Sequence, residues 1–371
     1  MAIGLYIHVP FCKSKCPYCD FYSVKVNNEL VEGWFLAVLR NLEHYGGKYG
    51  KIPINTVYFG GGTPSLVPEE MLHGILKKAD EVFGFENPEI SLEANPCSVD
   101  LDKLKNLKAA GFNRISFGVQ SLDENELKFL GRLHNSKEAI LAIENAALAG
   151  FENISADIML GIAGQTENSL YKTISDLAKL PVVHISAYML KIEKGTPFDC
   201  QQIKLCVPDD DKTAELYLFA VKVLEDLGFR QYEISNFAKN TFECRHNLHY
   251  WRCEEYIGIG PGAHSFFDGK RFAAKPSLDD FIKNPFQSKE ITDSSPAGFE
   301  EFAMLGIRLL QGLDLEFCEK KYGIDAKKIL QKCNILEKNG LVKVCGKKIS
   351  LTAKGCLLSN SIIATLFIDF Q

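Results

Sequence analysis

Short β-branched and aromatic runs alternate with longer stretches of helical periodicity through most of the chain, the pattern of βα units laid into a parallel sheet. The runs GLYIHV, NTVYFG, EISLEA, RISFGV, ISADIML and VVHISAYM predict six strands. Helical patterns follow most of them, at 29–45, 68–82, 100–110, 123–149 with a break, and 168–180. Such units predict an α/β fold, a partial (β/α)6 TIM-like barrel, in which chemistry collects on loops at the C-terminal ends of strands. The punctuated segments fall there: PFCKSKCPYC after the first strand, GGGTPS after the second, Glu93 ending the third and Gln120 ending the fourth.

From about Pro296 the pattern changes to three helical segments around LVKVCGKKISLTAKG, a hairpin centred on Gly346, and a last helix runs into IIATLFIDF. This predicts a small C-terminal α+β domain resembling a winged helix. The expected division is 1–235 for the barrel, 236–295 for a connector and 296–371 for the C-terminal domain.

Composition narrows the function. With 371 residues, 46% hydrophobic and 24% charged, the chain can bury a full core. Its net charge of -5 argues against nucleic acid as a partner, although the stretch from Asp314 holds ten Lys against six acidic residues. The start, MAIGLYIHVPF, lacks the charged region and cleavage site of a signal peptide, and no apolar run is long enough to span a bilayer. The expectation is a cytoplasmic protein whose twelve cysteines are thiols and metal ligands rather than disulfides.

Cys12, Cys16 and Cys19 form C-x3-C-x2-C in a loop with Pro10 and Pro17, so three sulfurs can converge on one object. A structural zinc takes four protein ligands and an iron-sulfur cube has four corners, so three thiolates leave one position open. A Cys3His zinc site using His8, buried inert thiols and an open-corner cluster are the candidates. The cluster is favoured, because His8 falls in a predicted strand and inert thiols prefer apolar elements. The segment YIHVPFCKSKCPYCDF resembles the cluster motif of the radical SAM (S-adenosylmethionine) superfamily, in its coproporphyrinogen III oxidase-like HemN/HemW branch. The resemblance implies a 4Fe-4S cluster on Cys12, Cys16 and Cys19, with SAM on the open iron. It also implies SAM contacts from Tyr6, Gly61, Gly62, Thr63, Glu93, Gln120, Arg132 and Asp157.

A later segment gathers Cys244, His246, His249, Tyr250, Trp251 and Cys253, and Trp251 is one of two Trp in the chain. On residue type alone, a structural loop with Trp251 in the core is the simpler reading. Yet HNLHYW and YIGIGPGAHS are similar to the haem chaperone subgroup of the branch, HemW, and a flat apolar haem with an axial ligand suits an aromatic segment with His. The resemblance implies His246 as haem ligand, Cys244 as a lesser candidate and Trp251 as a haem contact. Its implied role is to bind haem and deliver it to apoproteins, membrane-bound cytochromes among them. The alternative is oxidative decarboxylation of coproporphyrinogen III. Against it, Phe21 stands where the oxidase has a fourth cysteine, and the oxidase's long arm ahead of the cluster has no counterpart. Cys97, Cys200, Cys206, Cys318, Cys333, Cys345 and Cys356 show no ligand spacing and are expected to be incidental thiols.

Overall fold

The structure is a computed structural model that describes residues 2–286, 290–293 and 296–367. Strand β1 (Ile3–Val9) enters a loop with two short paired strands, β2 (Phe11–Cys12) and β3 (Val24–Lys25), followed by helix α1 (Asn28–Tyr49). The βα pattern then repeats as β4 (Ile54–Gly61), α2 (Glu69–Phe83), β5 (Phe85–Ala94), α3 (Leu101–Ala109) and β6 (Arg114–Gln120). It continues as α4 (Glu124–Phe129), α5 (Ser136–Leu148), β7 (Asn153–Leu160), α6 (Glu167–Lys179) and β8 (His184–Met189). All six predicted strands pair in parallel in chain order, and the sheet stays open, as a partial barrel requires. The predicted break inside 123–149 separates α4 from α5.

Apolar and polar positions alternate along most of each of these strands. Leu5, Ile7, Val57, Phe59, Leu92, Phe117, Ile154 and Ile185 are buried in the core that the helices share. Between them stand Tyr6, His8, Tyr58, Glu93, Ser116, Asp157 and His184, which by the two-residue period face the other way. A parallel sheet covered by helices on both faces would read as unbroken apolar runs. Here the second face is polar and lines a lumen.

After β8 come α7 (Gln201–Cys206), α8 (Asp210–Asp226), β9 (Arg230–Gln231), β10 (Asn236–Ala238), α9 (Arg245–Trp251) and β11 (Tyr256–Ile259). β10 pairs antiparallel with β8, whereas β11 returns to the opposite edge and pairs parallel with β1. That makes seven parallel strands where the pattern predicts six. β11 has four residues and a glycine within it, too short a run for periodicity to reveal. With β12 (His264–Phe267), β13 (Lys270–Ala273), α10 (Leu278–Lys283) and β14 (Glu290–Asp293), it adds the supposed connector to the barrel sheet, which holds twelve strands among the described residues.

The remaining elements are α11 (Phe299–Gly306), β15 (Leu313–Asp314), α12 (Leu315–Tyr322), α13 (Ala326–Lys338), β16 (Val342–Cys345), β17 (Lys348–Leu351), α14 (Ala353–Leu357) and α15 (Ser359–Phe367). Helices surround a β16–β17 hairpin with Gly346 at its turn, and β15 adds a third strand. The end of the predicted tail, 368–371, lies outside the described residues. No helix among the described residues is long and apolar enough to cross a membrane.

Candidate functional site

The cluster loop leaves the C-terminal end of β1. Cys12 closes β2, and the Cys19 N–H donates to the Cys16 carbonyl at 3.0 Å, which draws the second and third cysteines into one turn. All three thiols are half-buried. Burial pushes the Cys19 thiol up and its two neighbours push it further, while the Phe21 N–H and Lys15 oppose. Among the described residues no group of three or more His, Cys, Asp or Glu is placed to hold a single metal ion. His8 does not turn toward the sulfurs. Its Nε2 donates to the Tyr22 carbonyl at 3.1 Å, and its Nδ1 accepts from the Tyr6 hydroxyl at 3.0 Å, so the zinc reading gains no fourth ligand there.

The glycine turn after β4 lies directly on this loop. Gly62 N–H donates to Val9 O at 2.8 Å and Thr63 N–H to Phe11 O at 2.7 Å. A Cβ on Gly62 would stand 2.6 Å from that same Phe11 oxygen, so only glycine lets the two segments touch. Thr63 Oγ1 reaches to 3.8 Å from Cys12 Sγ and accepts from Asn95 Nδ2 at 2.9 Å. Asn95 in turn accepts from Arg132, whose guanidinium also donates to Gly118 O at 2.7 Å and to Cys16 Sγ at 3.3 Å. A continuous rim therefore runs from Cys12 through Thr63, Asn95 and Arg132 to Cys16. Arg132, well past the end of β6 in sequence, is returned to the rim by Gly131. That residue adopts φ 67°, and a Cβ on it would meet Pro17 Cδ at 2.9 Å.

Glu93 on β5 and Asp157 on β7 flank β6 and are close enough for their charges to interact. Glu93 accepts from Tyr58 Oη at 2.9 Å and from Gly61 N–H at 3.1 Å, and Asp157 accepts from Ser116 Oγ at 3.0 Å. Burial, then the charge of Asp157, pushes the Glu93 carboxyl up to about 7. Asp157 is raised as well, by burial, against hydrogen bonds from Ser186 and Ser116. Two carboxyls whose charged forms burial disfavours suit a positively charged ligand. Gln120 sits where β6 slips register against β7, at φ 67°, an uncommon conformation for a residue with a side chain, and its amide lies beside Gly118 near Arg132. Tyr6 stacks on Tyr58 at 6.3 Å. Tyr58 and Asn95 escape the sequence reading, although Asn95 lies two residues from Glu93 in SLEANP.

At the N-terminal end of the strands, α9 closes the lumen. His246 is buried, its Nδ1 within 2.8 Å of Thr56 Oγ1 and its Nε2 within 2.8 Å of Tyr250 Oη, and its ring stacks on Tyr58 at 5.2 Å. Glu89 receives the His246 N–H at 3.2 Å. Burial, then His249 and Arg114, lowers the His246 pKa, so the ring is neutral. Both ring nitrogens are thus engaged. Trp251 faces elsewhere, under the Arg308 guanidinium at 4.4 Å, with its buried Nε1 unpartnered. Cys244 is fully buried, beside Glu89. His249 is also buried, with Nε2 on Asn55 Oδ1 at 2.8 Å.

Comparison with known proteins places this geometry. The radical SAM superfamily model matches residues 6–177, and the HemN C-terminal domain model matches 297–358. The heme chaperone HemW of Bacillus subtilis is 34% identical over 367 residues, which cover 96% of this chain and 97% of that protein. The chain belongs to the HemW family of radical SAM proteins. The HemW of Haemophilus influenzae is 32% identical, covering 97% of each chain. Among solved structures, the coproporphyrinogen III oxidase HemN of Escherichia coli superposes with a TM-score of 0.84 over 99% of this chain and 90% of its own, at 21% identity, a likeness of fold.

Membership in this HemW family brings a 4Fe-4S cluster and SAM, and the residues present fit both. Cys12, Cys16 and Cys19 would hold the cluster, with Thr63 and Arg132 already directed at two of the sulfurs. The Glu93 and Asp157 pair would meet the cationic SAM. When bound, the cluster supplies one-electron chemistry at the SAM sulfonium. The chain's own part would be to seat SAM and to set the charge of Glu93, in a lumen whose floor α9 closes.

Proposed function

We propose that this chain is a cytoplasmic haem chaperone: it binds the cluster, SAM and haem, and hands haem to apoproteins. The strongest support is that HNLHYW occurs in a chain that is alike from end to end to proteins named heme chaperone HemW. In this reading SAM lies against Tyr6, Gly61, Gly62, Thr63, Glu93, Gln120, Arg132 and Asp157. His246 is the axial ligand of haem, and Trp251 rests on the porphyrin. Because Tyr250 and Thr56 occupy both nitrogens of His246, ligation requires Tyr250 to release Nε2 and α9 to lift from the floor of the lumen.

Phe21 separates this reading from a decarboxylase, since it is 69% exposed on the loop where the oxidase carries its extra cysteine. Anaerobic incubation of the iron-loaded protein with coproporphyrinogen III, SAM and a reductant tests the point. The expected outcome is no accumulation of protoporphyrinogen. Catalytic turnover would replace the chaperone with the enzyme.

A further inference from the structure

We propose that Arg114, buried at the floor of the lumen, anchors a propionate carboxylate of the haem that this chain carries. The proposal rests on the haem-binding reading and names the group that meets the acidic edge of the ligand. Arg114 opens β6 and shares the lumen face of that strand with Ser116. Its side chain is only 2% exposed. A guanidinium stays charged and carries five N–H donors. Here Nε and Nη1 have no hydrogen-bond partner, and Nη2 has only a 3.5 Å approach to His184 Nδ1. That nitrogen lies nearer to Ser155 Oγ, at 2.8 Å, and the ring is neutral because burial, then Arg114 itself, lowers its pKa.

Cys244, Glu89, Tyr58 and Tyr232 are close enough for their charges to act on Arg114, yet among the described residues it forms no ion pair. Burial keeps both tyrosines protonated and pushes the Cys244 thiol up to about 12. Glu89 turns to α9 instead, where its Oε1 accepts from the His246 N–H and stands 3.8 Å from Cys244 Sγ. Glu93 and Asp157 also feel the charge of Arg114, but their hydrogen bonds go to Tyr58, Gly61 and Ser116. A permanent cation buried with two idle donors is costly to keep unless an anion meets it.

SAM does not supply that anion. Its single carboxylate belongs to the methionyl end, the end directed at the cluster, whereas Arg114 lies at the far end of β6 from Gln120, about 20 Å along the strand. Haem does supply it. Ser91 stands opposite Arg114 and Tyr58 opposite Ser91, so Arg114 is two strand spacings, about 10 Å, from the tyrosine on which His246 stacks. Haem is a flat apolar disc with iron at its centre and two carboxylates on one edge. Iron at His246, with the disc over the stacked Tyr58 and Tyr6 rings, brings that edge within reach of the guanidinium. Cys244 and His246 belong to one short segment, so the movement that frees the axial ligand also uncovers Arg114.

The test titrates the iron-loaded protein with haem and with haem dimethyl ester, which keeps the iron and the disc and loses both charges. Wild type should bind haem about tenfold or more tightly than the ester. Arg114→Gln should bind the two alike, near the wild type's affinity for the ester, and Arg114→Lys should recover part of the preference. The haem spectrum of both variants should match that of wild type, because His246 is untouched, and iron content should hold. If Arg114→Gln loses iron, Arg114→Lys takes its place and must narrow the preference. Equal wild-type affinities for haem and ester, the result expected if Glu89 closes on Arg114 instead, overturn the proposal. So does a full preference kept in Arg114→Gln, or a changed haem spectrum there, which would make Arg114 a support of His246. Wild-type protein that binds neither ligand counts against the chaperone reading and removes this proposal with it. Absence of the preference alone leaves the chaperone standing.

Discussion

Glu93 carries the clearest consequence of a single side chain's surroundings. Its carboxyl rises from the ordinary 4.5 to about 7 because it is buried beside Asp157. A carboxyl raised in this way favours the folded state most below its unfolded value, and that contribution is lost as pH climbs through about 7. A cationic ligand reverses the preference and expels the proton. SAM affinity should therefore increase as pH rises across the window around 7, with release of ~1 proton per SAM bound a pH unit below it. Calorimetry in buffers of different ionisation heat reads that proton directly. Glu93→Gln should abolish the proton release and weaken SAM binding by about tenfold, while iron content holds. An unchanged proton count would show that SAM does not meet this carboxylate.

The same scale shows what the sequence reading reached. Cys12, Cys16 and Cys19 announce themselves by spacing and Glu93 by its position near a strand end, whereas Asp157, inside β7, is named through the family resemblance. Tyr58, Glu89, Arg114 and His184 carry an equal signal that went unused: each alternates with a buried aliphatic residue in its strand and so must face the lumen.

At the scale of elements, strands and helices were legible wherever periodicity persisted over several residues, and boundaries moved by only a few positions. The exceptions are elements created by tertiary contact, β11 above all, which exists because β1 offers it an edge. The turn after α4 is the break that the pattern predicts inside 123–149. It makes a prediction of its own: Gly131→Ala forces a side chain into a φ of 67° and against Pro17, pushing Arg132 off Cys16. The expected effect is a loss of about 1–2 kcal/mol in thermal stability, with faster loss of iron under a chelator. Equal iron retention would mean that Arg132 does not support the cluster. For α9, Tyr250→Phe removes the hydroxyl that holds His246 Nε2, so haem should associate several-fold faster than with the wild type, as stopped-flow absorbance would record. A rate unchanged or slower would put the axial ligand elsewhere.

Across the whole molecule, α9 lies between two bodies. His246 closes the floor of the lumen against β1 and β4, and Trp251 lies under Arg308, on the side of the C-terminal elements. The two residues assigned to haem therefore occupy opposite faces of one seven-residue helix. Haem can engage both only after that helix leaves its seat, so occupancy of the motif and closure of the lumen compete. This arrangement could not be read from HNLHYW alone, because spacing places the residues on a helix without saying what each side packs against.

The central claim is haem binding through that segment, and a spectroscopic titration of the iron-loaded protein with haem tests it most directly. The account predicts a saturable complex of one haem per chain, a changed ligand signature and looser binding in His246→Ala, and weaker binding with the signature kept in Trp251→Ala, all with iron-sulfur content unchanged. Wild-type protein that fails to saturate with haem, or an unaltered spectrum and affinity in His246→Ala, would contradict it.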